Sequence, residues 1–136
     1  MNKMKWLFVS LLASVMLACG TTSTVSITGR KQRLLVSDEQ ILSLSNQQYR
    51  QYMAKAKVST NPTNTAMVKR VGQRLANAVT TYLSANGLGA EVKNYQWEFN
   101  LVQDNAANAF CMPGGKIVVY EGLLPYTKDE ASLAIV

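Results

Sequence analysis

The side chains able to do chemistry in these 136 residues are few. Cysteine occurs at Cys19 and Cys111, adjacent carboxylates at Asp129 and Glu130, and single acids at Asp104 and Glu121; the chain contains no histidine. A thiol nucleophile at Cys111 needs a neighbouring base, and without an imidazole none is available. Asp129 and Glu130 are consecutive, so on a helix they point about 100 degrees apart and cannot work as opposed acid and base. Helix-dipole complementation is their simpler role. Neither a cysteine pair at metal spacing, nor a Gly-x-Ser-x-Gly elbow, nor a phosphate loop is present. Cys111 lies inside an extended pattern and is expected to behave as a small buried hydrophobe.

The net charge is +6, with 14 basic and 8 acidic side chains. The one short basic cluster, Gly29-Arg30-Lys31-Gln32-Arg33, has no interleaved aromatics. This is no nucleic-acid footprint, and suits a solvated segment beside lipid headgroups.

The elements around these groups follow in chain order. Lys3 and Lys5 precede the apolar run Trp6 to Leu17, and Ala18 and Cys19 close it. This is the pattern of a signal segment over residues 1–18, too short to span a bilayer. Met16-Leu17-Ala18-Cys19-Gly20 resembles a bacterial lipobox, which makes Cys19 the expected lipidation site and membrane anchor. Residues 19–36 read as a Ser/Thr-rich tether, and residues 37–136 as a domain.

Within that domain Ser37 and Gln40 stand in capping-box relation, opening a helix expected to run to Lys57 with an inward stripe of Ile41, Leu44, Tyr49, Tyr52, Met53 and Ala56. Asn61-Pro62 reads as loop. A second helix is expected from Asn64 or Thr65, with Val68, Val71, Leu75, Val79 and Tyr82 inward and Lys69, Arg70 and Arg74 solvated, stopping at Asn86-Gly87. The period then becomes two. Tyr95, Trp97, Phe99 and Leu101 alternate with polar residues, predicting a strand from Tyr95 to Val102. Ala109 to Met112 and Lys116 to Tyr120 are two further strands around the turn Pro113-Gly114-Gly115. Thr127 and Glu130 make a second capping-box pair, opening an apolar helix that reaches Val136 without a stop signal, as if cut. The fold class is therefore α+β: two amphipathic helices packed on a small antiparallel sheet or hairpin, leading into an unfinished apolar helix.

Trp97-x-Phe99, then Asn108-Ala109-Phe110-Cys111-Met112-Pro113-Gly114-Gly115-Lys116-Ile117, then Gly122-Leu123-Leu124 and Leu133-Ala134-Ile135-Val136, resemble the region leading into the zinc helix of M48-type metallopeptidases. Thr28-Gly29-Arg30, soon after Cys19, is similar to a stretch in the lipoprotein members of that family. Cys111 and Met112 depart from the commoner Ala and Leu there, while keeping the positions apolar. The resemblance implies a zinc-dependent endopeptidase whose final helix continues into His-Glu-x-x-His, so that the catalytic and zinc-binding residues lie after Val136 and none is in this chain. It further implies that Asn108, Ala109, Phe110 and Cys111 form the edge strand that holds polypeptide substrates, and that Pro113, Gly114 and Gly115 set the hairpin turn. The chain as given is expected to bind no zinc and to be inactive. The resemblance, with Gly20 rather than an acid after Cys19, implies the periplasmic side of a bacterial outer membrane, with envelope proteins as substrates and quality control of misfolded ones as one such task. The alternative is a non-catalytic envelope lipoprotein whose hairpin binds or assembles with a partner strand.

Overall fold

The computed structural model describes residues 21–24 and 28–136. The signal segment and Cys19 lie outside the described residues. Two units separate, Met1–Ser37 and Asp38–Val136. In the first, β1 (Thr21–Thr24) and β2 (Lys31–Leu34) pair antiparallel, Thr21 opposite Leu34, with Gly29 at a φ of 66° in the connection. The stretch read as a tether thus carries a hairpin.

The second unit opens with α1 (Asp38–Met53), which stops short of the expected Lys57; a turn follows in which Ala56 N–H reaches Tyr52 C=O at 2.9 Å. Then comes α2 (Pro62–Ala85), capped by Asn61, whose side-chain oxygen accepts from the Asn64 backbone N–H at 3.0 Å. Pro62, expected in a loop, is the first helical residue, where its missing N–H costs nothing and its fixed φ suits the helix. A four-residue helix that the pattern did not announce, α3 (Gly89–Val92), leads to β3 (Glu98–Val102), β4 (Ala109–Met112) and β5 (Lys116–Tyr120). A single 3-10 turn at Glu121–Leu123 precedes α4 (Glu130–Ile135).

The α+β class stands, as does the antiparallel β4–β5 hairpin. The sheet as a whole is mixed, ordered β3-β5-β4, with β3 parallel to β5. Residues 103–108 carry the chain past the end of β5, and they lie so close to Gly122 that a Cβ there would sit 2.2 Å from the Asn105 carbonyl oxygen. The expected strand from Tyr95 is shortened at its start. Tyr95 N–H closes a turn onto Val92 C=O instead, and the ladder begins where Gln96 and Glu98 N–H reach the carbonyls of Gly114 and Gly115, each at 2.9 Å.

The sheet separates two apolar layers. One joins Val68 and Val71 of α2, Leu101, Val119, Leu123 and Leu133. The other joins Tyr49 of α1 to Val102 and Val118, with Tyr52, Met53 and Phe110 packed against them. Alternation along the strands assigns Phe99, Leu101, Ala109, Cys111, Ile117 and Val119 to the α2 face, and Phe110, Val118 and Tyr120 to the α1 face. Gly72 is what lets α2 lie this close, since a Cβ there would meet the Phe99 ring at 2.2 Å. Two expected stripes are only partly inward. Leu44 of α1 is 54% exposed, and Leu75, Val79 and Tyr82 of α2 are 37, 39 and 59% exposed, while Gly72, Ala76 and Leu83 take the buried positions.

Candidate functional site

The hairpin is fixed from three sides. Gly114 and Gly115 have φ of 90° and 85°, a left-handed turn that β-carbons would strain. Ser45 of α1 donates its hydroxyl to the Pro113 carbonyl at 2.8 Å, and the N-terminal approach of β3 takes the next two carbonyls. Pro113, Gly114 and Gly115 are thus where the turn was expected, and each carbonyl in the turn is held.

Immediately after the turn, Lys116 is buried to 2% exposure. Its ammonium donates to the Gln96 carbonyl and to Glu98 Oε1, both at 2.6 Å, and sits 5.6 Å from the centroid of the Tyr49 ring. Tyr49 donates its hydroxyl to Glu98 Oε2 at 3.1 Å and accepts from the Asn100 amide at 2.5 Å. The Lys116 hydrogen bond holds the Glu98 carboxyl below its ordinary value against the opposing effect of burial. Burial, with the Glu98 charge second, pushes the Tyr49 hydroxyl up to about 12. Sequence reasoning passed over this network. The available signal was parity: Lys116 shares a face with Val118 and Tyr120, and a charge on the buried row of a central strand needs a partner.

The two edges of the sheet differ. At β3, Ser59 N–H reaches Leu101 C=O at 2.9 Å and Gln103 N–H reaches Lys57 C=O at 2.7 Å, so the segment after α1 occupies that side. At β4, Tyr120 N–H donates to Asn108 C=O at 3.0 Å. Antiparallel pairs alternate between bonded and non-bonded, so Asn108, Phe110 and Met112 bond to β5, while the N–H and C=O groups of Ala109 and Cys111 point outward. Of the four residues expected on the edge, Asn108 closes the ladder inward, Phe110 packs its ring on Tyr52 at 5.2 Å, and Ala109 and Cys111 present the open groups. Cys111 is corrected from a buried hydrophobe to an exposed free thiol, because among the described residues no neighbour covers this outermost strand.

Beneath this edge, on the α2 face, lies an apolar cleft of about 290 Å³ whose walls include Leu75, Phe99, Cys111, Leu133 and Ala134. One wall is α4. Its cap is Asp129 rather than Thr127: the Asp129 carboxylate accepts the Ser132 N–H at 2.7 Å, which holds its pKa below the ordinary value. Thr127 is buried instead and turns its hydroxyl onto Leu124 C=O at 3.3 Å. Glu130 is more than a dipole partner. It accepts from Arg70 and, at 3.3 Å, from Arg74, so the two arginines, solvated as expected, also tie α2 to α4. Asp104 is exposed, whereas Glu121 is half-buried and accepts the Ser59 hydroxyl.

The donors do not fit a zinc site. The chain has no histidine, and among the described residues no three Cys, Asp or Glu side chains gather around one point. No described helix is long and apolar enough to cross a membrane.

The sequence model of peptidase family M48 matches residues 62–136, more than half of the chain and all of α2, the sheet and α4. The chain belongs to peptidase family M48. Among curated relatives, this M48 chain is 30% identical over 140 aligned residues to the mitochondrial metalloendopeptidase OMA1 of Schizosaccharomyces pombe, covering 99% of the chain and 38% of that protein. It is 40% identical over 52 residues to the mitochondrial metalloendopeptidase OMA1 of Arabidopsis thaliana, covering 38% of the chain and 11% of that protein. The M48 chain therefore spans well under half the length of either. These relatives overturn one expectation. Both carry mitochondrial names, against the periplasmic face of a bacterial outer membrane, an inference that hung on Gly20, a residue outside those described.

Proposed function

We propose that this M48 chain is the substrate-holding portion of a zinc-dependent metalloendopeptidase, receiving an extended polypeptide on the open edge of β4. The observation that carries the reading is the combination of outward backbone groups at Ala109 and Cys111 with an occupied β3 edge, which among the described residues of this unit leaves the β4 side of the sheet for strand addition. The family match and the metalloendopeptidase names of the relatives support the reaction class. The metal ligands, in this reading, are a His-Glu-x-x-His motif after Val136 on the continuation of α4, and the protein is held at a membrane through a lipid on Cys19.

The gene region following the Val136 codon tests the first part. His-Glu-x-x-His within about the next turn or so, with casein cleavage by the longer product that chelation abolishes and zinc restores, is the expected outcome. A stop codon, or a longer product inert with zinc, refutes it. Cys111→Pro tests the edge. Proline at an outward-facing position removes the N–H without touching the β5 ladder, so folding persists and peptide binding is lost. For the anchor, Cys19→Ala is expected to move the protein from the membrane to the soluble fraction; unchanged partitioning would discard it.

A further inference from the structure

The geometry points to a side-chain preference: the apolar cleft beneath β4 selects aliphatic residues at every second position of a peptide added to that edge. This rests on the reading of β4 as the substrate edge, and goes beyond it by stating what the substrate must carry.

Residues directly opposite one another on adjacent strands point to the same face. The row Phe99–Ile117–Cys111 and the row Leu101–Val119–Ala109 run across the sheet on the α2 side. A strand added outside β4 extends each row by one residue. Its residues opposite Ala109 and Cys111, two apart, send their side chains toward the cleft, and the residue between them, opposite Phe110, faces the α1 side. The face is not free, because on this edge the outward N–H and C=O groups are those of Ala109 and Cys111: whichever peptide residues come to lie opposite them send their side chains to the α2 side, so the side-chain pattern of the peptide selects the register.

The cleft decides the chemistry. Its walls combine Leu75, Phe99, Leu133 and Ala134 with the edge residue Cys111. A charged or strongly polar side chain entering it would lose water without a partner, whereas a branched aliphatic chain loses nothing. At about 290 Å³ the space falls just below the range of ligand pockets, roughly 300–1,000 Å³. It takes one or two side chains, and a folded ligand is excluded. The occupant is thus an extended, unfolded segment with aliphatic residues at i and i+2.

The test uses two blocked heptapeptides, threonine throughout except for leucine at the third and fifth positions in one and serine in the other, titrated by calorimetry and by the amide shifts of Ala109 and Cys111. The leucine peptide is expected to bind at least tenfold tighter. Ala134→Trp, which fills the cleft from α4, is expected to bring the two peptides within about threefold of each other; Leu75→Phe, from the α2 wall, repeats the test should the first variant fold poorly. Cys111→Pro is expected to abolish binding of both. Equal affinity of the two peptides overturns the preference while leaving the edge reading intact. Absence of all binding, or binding indifferent to Cys111→Pro, overturns both. A longer product of the gene in which its own later residues fill the cleft also overturns the preference.

Discussion

Removing the two partners of the Lys116–Glu98 pair should have unequal consequences, because they are unequally buried. The Lys116 side chain is 2% exposed and that of Glu98 is 50% exposed. In Lys116→Met the apolar stem is kept. The Glu98 carboxylate, half in water and still hydrogen-bonded to Tyr49, rehydrates, and the main loss is the bond to the Gln96 carbonyl. One lost hydrogen bond and a partly satisfied carbonyl amount to about 1–2 kcal/mol. In Glu98→Gln the ammonium stays in its pocket without a counter-charge. Stranding one member of a buried ion pair costs about 3–5 kcal/mol, and since the amide oxygen introduced by the substitution still accepts from Lys116, the lower end, about 3 kcal/mol, applies. For a unit of about a hundred residues a difference of 1 kcal/mol is about 4–8 °C in Tm. Urea unfolding followed by Trp97 fluorescence, which lies beside the turn, measures both variants and the double substitution. Glu98→Gln is expected to be the less stable single variant, with Glu98→Gln/Lys116→Met recovering to near Lys116→Met alone. If Glu98→Gln proves as mild as Lys116→Met, or the double variant adds the two losses, the stranded-charge argument is wrong.

The same network has a pH signature on each side. Glu98 has a folded pKa below its ordinary 4.5, so its contribution is present above pH 4.5 and lost as pH falls through the folded value; Lys116→Met should flatten that acid slope in stability-versus-pH titrations. Tyr49, raised from 10.0 to about 12, stabilises below pH 10 and loses that contribution as pH climbs to 12, and Tyr49→Phe should remove the alkaline fall. Gly72→Ala would place a Cβ 2.2 Å from the Phe99 ring; overpacking of about 1–3 kcal/mol, at its upper end in this closed layer and offset by about 1 from helix propensity, leaves a net loss near 2 kcal/mol by thermal unfolding. Gly115→Ala combines a φ of 85° with a 2.8 Å approach to Trp97 and is expected to cost about 2–3 kcal/mol by the same measurement.

What the sequence disclosed was local. Helical spacing around Tyr49 and Val68, the Pro113-Gly114-Gly115 turn and the alternation through Phe99 and Leu101 each depend on residues within a few positions of one another, and those elements formed. Pairing order does not. Nothing in Glu98 to Val102 says that β5 rather than β4 will lie beside it, so the parallel partner of β3 emerged only in three dimensions. The exposure of Val79 and Tyr82 has the same origin: their spacing on α2 reads as inward, but at that end of the helix Leu83 takes the buried position and no described layer covers Val79 and Tyr82. Cys111 misled for a related reason, since an apolar strand pattern fixes which face a residue is on without saying whether the strand is outermost. At the candidate edge, the strand itself was legible and the direction of its backbone groups was not. Alternating ladder bonds single out Ala109 and Cys111 from the four residues read as one edge.

The Lys57–Ser59 segment along β3 bears on how copies of this protein can meet. Linear growth of a sheet requires two vacant sides, one to receive and one to offer. Here one side is stoppered by the segment after α1, which bonds Leu101 and Gln103 and, among the described residues of β3, leaves Phe99 facing outward. Two copies of this sheet joined through β4 would make six strands with a Lys57–Ser59 segment along each outer side, so association of this sheet by that route stops at a pair.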